Sequence, residues 1–123
     1  MAQGFLGSYE SVAVSTADPA TLVVQLFDGA LRFLGRARQA LTPGGDRGDF
    51  PYAVSRAHAI IAELSNVLDR DAGGDVARDL DRLYEFMLRH LTEGLTLKSG
   101  LHVDRVTTVL QPLRDAFDAA RQR

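Results

Sequence analysis

Leu22, Leu26, Ala30, Phe33, Leu34, Ala37 and Leu41 follow one another at three- and four-residue steps, the spacing that lines up side chains on one face of an α-helix. Three further stripes have the same period: Ala53, Ala57, Ile60, Ile61, Leu64, Val67 and Leu68; Val76, Leu80, Leu83, Tyr84, Met87, Leu91 and Leu95; and Val103, Val106, Leu110, Leu113, Phe117 and Ala120. Strand-like alternation appears only briefly, in Tyr9–Val14. Each stripe needs an apolar partner, and short glycine-rich loops leave consecutive helices side by side. The expected fold is therefore all-α: an antiparallel up-down-up-down four-helix bundle.

Local signals give the boundaries. Asp18 is placed to cap the first helix and Pro19 suits its first position, so that helix is expected over Pro19–Leu41. TPGGDRGD then stops it. A second helix is expected from Asp49 to the stop at Asp71-Ala72-Gly73-Gly74, with Asp75 capping a third that closes at Lys98-Ser99-Gly100. Pro112 is expected to interrupt and kink the fourth, at a cost of about 3 kcal/mol in a helix interior. Residues 1–17 precede the bundle, which takes 18–123. Phe5, Leu6, Tyr9, Val12 and Val14 make this leading segment too apolar for a solvated tail, and it is expected to lie on the bundle as a strap or to await a partner.

The 123 residues suit one domain. Fourteen basic and sixteen acidic residues are interspersed, with a formal net charge of -2, so no basic stripe points to nucleic acid. No window approaches the roughly 18 apolar residues that membrane insertion needs, and the N-terminus lacks a secretory signal pattern. The absence of cysteine excludes disulfides and thiolate metal sites and suits a reducing, cytoplasmic setting.

Catalytic and cofactor patterns are not found. His58, His90 and His102 read as scattered surface or boundary residues without metal-ligand spacing, and no metal or cofactor is expected. The paired glycines at 44–45 and 73–74 follow no strand and read as loop punctuation. One enzymatic alternative is a histidine phosphotransfer bundle using His58, which follows Ala57 on a helix. Ile60, Ile61 and Ala62 occupy the region where such domains usually place Leu-Lys-Gly.

Asp28-Gly29 interrupts the first stripe without shifting its phase. A glycine inside a helix costs up to about 1 kcal/mol relative to alanine, so Gly29 is expected to mark a close approach by another backbone. Asp28 has Arg32 as its i+4 partner, a pair worth a few tenths of a kcal/mol when exposed. Apolar residues off the core stripe, namely Val23, Phe27, Phe86 and Leu88, are the groove candidates.

Tyr9, Thr16-Ala17-x-Pro19, Leu22-Val23, Leu26-Phe27-Asp28-Gly29-Ala30, Glu63-Leu64, Leu68-Asp69, Gly73-Gly74, Ala77, Leu80 and Leu83-Tyr84 form an ordered series. In order and spacing it resembles the FliS family, the flagellin-specific export chaperones of bacterial flagella. The resemblance implies a non-enzymatic cytosolic protein that binds the disordered C-terminal segment of flagellin and prevents its premature polymerisation. It also implies delivery of that client to a component of the flagellar export gate. It adds Tyr9, Val12, Thr16, Asp28, Gly29 and Tyr84 to the expected client-binding residues. Phe27 stands where the family commonly has tyrosine, Phe117 where it often has tryptophan, and Thr21 where an acid is frequent. A bundle adaptor for another secreted client is the blander alternative, and a homodimer of the free protein is left open.

Overall fold

The computed structural model describes residues 18–122, which form four α-helices: α1 Pro19–Ala40, α2 Asp49–Asn66, α3 Arg70–Leu97 and α4 Gly100–Arg121. Among the described residues there is no strand. Helices α1 and α3 each pack against both α2 and α4, so the four close into a ring. Side-chain pairs give the directions. Thr21, Asp28 and Arg38 of α1 meet Arg121, Arg114 and Asp104 of α4, in opposite chain order. Arg36 meets Asp49 while Gly29 faces Ile60, so α2 also opposes α1. Gly94 abuts His102, and Phe86 shares a groove with Val109, so α3 opposes α4. Together these pairs give the up-down-up-down arrangement.

The first helix starts as the sequence predicts. Asp18 accepts from the Thr21 amide at 3.4 Å and also takes the Thr21 hydroxyl, with Pro19 in the first position. The second connection differs from expectation. Helix α2 ends at Asn66, and Asp69 caps α3 by accepting from the Ala72 amide at 3.0 Å. An aspartate that satisfies a first-turn amide starts a helix at once, so one short turn precedes the glycine break, and the helix restarts beyond it where Asp75 is expected to begin it. Gly74 breaks the regular backbone there, at φ 56° and ψ −130°, a region glycine enters without a Cβ penalty. Helix α4 runs through Pro112 as one element, correcting the expected interruption. Pro112 and Thr108 are both exposed, so water can reach the carbonyl that proline leaves without its helical donor.

The core holds Tyr84, Phe27, Phe50 and Phe117 as its largest fully buried side chains. Phe27 and Phe117 join α1 to α4 with ring centroids 6.0 Å apart. Burial of one such ring stabilises by about 1.5–3 kcal/mol. Val23 and Phe27, expected off the core stripe, are buried, while Leu22, Leu26 and Leu83, expected in it, are half-buried. The cause is ring closure: α1 touches two neighbouring helices, so its buried arc is wider than one stripe and is rotated towards Val23, Val24 and Phe27. Phe50 and Val54 join the core from α2, where the stripe omits them.

Candidate functional site

The residues expected to bind a client are distributed unevenly. Tyr9, Val12 and Thr16 lie outside the described residues. Val23, Phe27 and Tyr84 are sealed in the core, and Gly29 is buried on α1. The premise that Val23 and Phe27 face a groove is thereby corrected. Among the described residues Gly29 meets no close backbone either: a Cβ built there would touch the Ile60 side chain at 3.4 Å, ordinary packing. Asp28 does not depend on Arg32. Its Oδ1 accepts from Arg114 Nε at 2.8 Å, across the α1–α4 seam. Phe86 and Leu88 remain half-buried at the edge of the core.

Phe86 leads to an open apolar surface between two helices. With Leu101, Asp104, Arg105, Thr108 and Val109 it lines an open groove of about 410 Å³ between α3 and α4. Leu101 is 57% exposed and Leu97, close to it across the turn, is 65% exposed. Lys98 ends α3 in the left-handed conformation at φ 52°, and Ser99 caps α4 by accepting from the His102 amide at 3.2 Å. This tight turn places Leu101 at the end of the groove, while Leu97 lies with Thr92, Glu93 and Thr96 on a neighbouring surface. An apolar floor with an acid and an arginine at its rim can take one face of an amphipathic helix. Leu97 and Leu101 carry a sequence signal that is easy to miss: they flank a helix stop, so no periodic stripe includes both.

Beneath the groove sits an aromatic stack. The Phe86 and His90 rings lie 4.9 Å apart, and His90 and His102 lie 4.4 Å apart. Glu93 Oε1 stands 3.7 Å from His90 Nδ1 and 3.6 Å from His102 Nε2. Two of the three histidines are therefore clustered, correcting their reading as scattered; Glu93 follows His90 by three residues, and His102 joins only through the tertiary packing. Burial is the main cause that pushes the His90 imidazole below its ordinary range, with the neighbouring His102 and Arg105 adding to it. His58 lies half-buried on α2, away from this cluster in sequence.

A second aromatic group flanks the α1–α2 seam. Phe33 and Tyr52 meet edge to face at 6.2 Å, with Arg36 over both rings and Arg56 over Phe33. Tyr52 is 53% exposed, and Arg36 is tied to Asp49 by bonds of 2.9 and 2.6 Å. Among the described residues, no helix is long and apolar enough to cross a membrane.

Comparison with known proteins adds to this geometry. The family described as Flagellar protein FliS matches residues 2–123. Flagellar secretion chaperone FliSB of Pseudomonas aeruginosa is 34% identical over 108 residues, covering 85% of this chain and 82% of the relative. Flagellar secretion chaperone FliS of Vibrio cholerae is 30% identical over 125 residues, covering 94% and 88%. The Salmonella typhimurium protein of the same name is 34% identical over 108 residues, covering 85% and 78%.

Proposed function

The chain belongs to the FliS family of flagellar proteins, and on that premise we propose that it is a flagellin-specific export chaperone. It takes the disordered C-terminal segment of flagellin in the cytosol, keeps the subunit from polymerising, and presents it to a component of the flagellar export gate. The observation that carries the client contact is the α3–α4 groove, where Phe86, Leu101 and Val109 offer apolar surface that the bundle does not use. A disordered segment that orders along such a surface loses conformational entropy, and the burial of its apolar side chains offsets that loss.

Phe86 acts from the groove, Leu88 from another side of α3, and Tyr9, Val12 and Thr16 act from the leading segment. Asp28 acts through the α1 surface, and buried Gly29 acts by setting how closely α2 packs on α1. Val23, Phe27 and Tyr84 contribute by holding the helices at the right spacing. No observation favours the phosphotransfer alternative at His58.

The test is titration of the full chain with C-terminal flagellin peptides from the same genome. A saturable one-to-one complex is expected, weakened about tenfold or more by Leu101→Asp, which puts a charge on the groove. Failure of every such peptide to bind overturns the proposal. Undiminished binding by the Leu101→Asp variant overturns the groove assignment alone.

A further inference from the structure

We propose that His90, Glu93 and His102 form a binding site for one divalent transition-metal ion of the zinc class, spanning the α3–α4 turn. The three residues can bring one ligand atom each to within 4.8 Å of the others. Glu93 Oε1 lies 3.7 Å from His90 Nδ1 and 3.6 Å from His102 Nε2. Ligand atoms around a tetrahedral zinc with bonds of 2.0–2.1 Å stand about 3.4 Å apart, so two of the three edges are already close to a loaded site. Two imidazoles and one carboxylate are a donor set that zinc accepts, with a fourth position left for water.

The surroundings orient these donors. The His102 Nδ1 lies 2.7 Å from Ser99 Oγ, a contact at the far nitrogen of the kind that fixes ring orientation in metal sites and leaves Nε2 for the ion. His90 Nε2 is buried without a hydrogen-bond partner, so the polar side of that ring is Nδ1, facing Glu93. Gly94 lets α4 come near enough: a Cβ there would stand 2.7 Å from His102 Cβ. The imidazoles are stacked with 29° between their planes. Loading the site turns the His90 ring, whose Nε2 has no hydrogen-bond partner, until its Nδ1 lone pair converges with that of His102 Nε2, which Ser99 holds in place. Neither the family assignment nor client binding requires this ion.

The site predicts a measurable affinity in the full chain after removal of metals with a chelator. Calorimetric titration with zinc chloride should give one saturable site per chain, and zinc should raise the thermal unfolding midpoint in a way that EDTA reverses. Cobalt(II) should give the visible bands of a tetrahedral nitrogen–oxygen site. Glu93→Gln, at an exposed side chain that the fold does not need, and His102→Gln should each weaken zinc binding about tenfold or more. His58→Gln should leave it unchanged. Absence of saturable binding overturns the proposal. So does binding that survives both ligand substitutions, or binding lost with His58, because the ion then sits elsewhere.

Discussion

Arg114 donates through Nε to Asp28 Oδ1 at 2.8 Å, tying the last helix to the first across 86 positions of sequence. The same guanidinium reaches Asp115 and Asp118, and Asp118 in turn accepts from Arg121, whose Nη1 lies 3.4 Å from the Thr21 hydroxyl. The bond to Asp28 is the leading reason that Arg114 holds its proton above the ordinary arginine range. A charge network thus runs along the seam whose interior is closed by Phe27 and Phe117.

This seam pair should be energetically coupled. The two side chains are 27% and 38% exposed, so solvent screens them, and a coupling of about 0.5–1 kcal/mol is expected. A double-mutant cycle of Asp28→Ala and Arg114→Ala in urea unfolding measures it. Additive single effects would show that the pair is ornamental. The local partner Arg32 should show no comparable coupling to Asp28.

Two of the buried helical glycines, Gly94 and Gly29, should respond oppositely to alanine. A Cβ at Gly94 would overlap His102 Cβ at 2.7 Å, and repacking such a contact costs about 1–3 kcal/mol. A Cβ at Gly29 would meet Ile60 Cδ1 at 3.4 Å, so the helix-propensity gain of up to about 1 kcal/mol is left largely intact. Thermal unfolding of Gly94→Ala and Gly29→Ala decides the matter, and equal midpoints for the two variants would refute the assignment of Gly94 as the close approach.

Acid should weaken the α1–α2 junction. Hydrogen bonds from Arg36 are the main cause holding Asp49 below its ordinary value of 3.8. With the folded value below the unfolded one, the unfolded chain binds the proton more readily. The contribution is therefore present above pH 3.8 and is lost as pH falls through the folded value. Comparing wild type with Asp49→Asn by urea unfolding at neutral pH and at about pH 2.5 should show a stability gap that closes in acid. A gap of the same size at both values would contradict this.

Replacing Pro112 by alanine should stabilise the protein. The helix is continuous at this position, and alanine restores an amide donor for the Thr108 carbonyl, a gain of about 1–3 kcal/mol. A neutral or lower unfolding midpoint for Pro112→Ala would mean that the proline is matched to its site and helps to hold the helix.

Much of the fold is legible along the chain because helix signals are local. Asp18-Pro19 marks the first start, the glycine-rich 43–48 stretch the first loop, and Ser99 the last cap, each through bonds spanning a few residues. The same locality explains the misplaced boundary at Asp69. Two potential caps, Asp69 and Asp75, flank the glycines, and their choice depends on which amides the packed chain leaves open. The cost of Pro112 is not legible either, because it depends on which side of the helix faces water.

The sequence by itself determined the number of helices, their approximate spans and the family, since periodicity, caps and motif order are properties of neighbouring residues. Tertiary structure decided which faces are buried and which partners meet. Phe27 lies inside because α1 touches two helices, and Asp28 bonds Arg114 because α4 returns beside α1. His90, Glu93 and His102 gather because Gly94 admits the next helix, and Leu101 reaches the groove because Lys98 turns the chain into α4. Burial and pairing depend on distances between helices, and a stripe read along one helix carries no information about how far away, or on which side, its neighbours will lie.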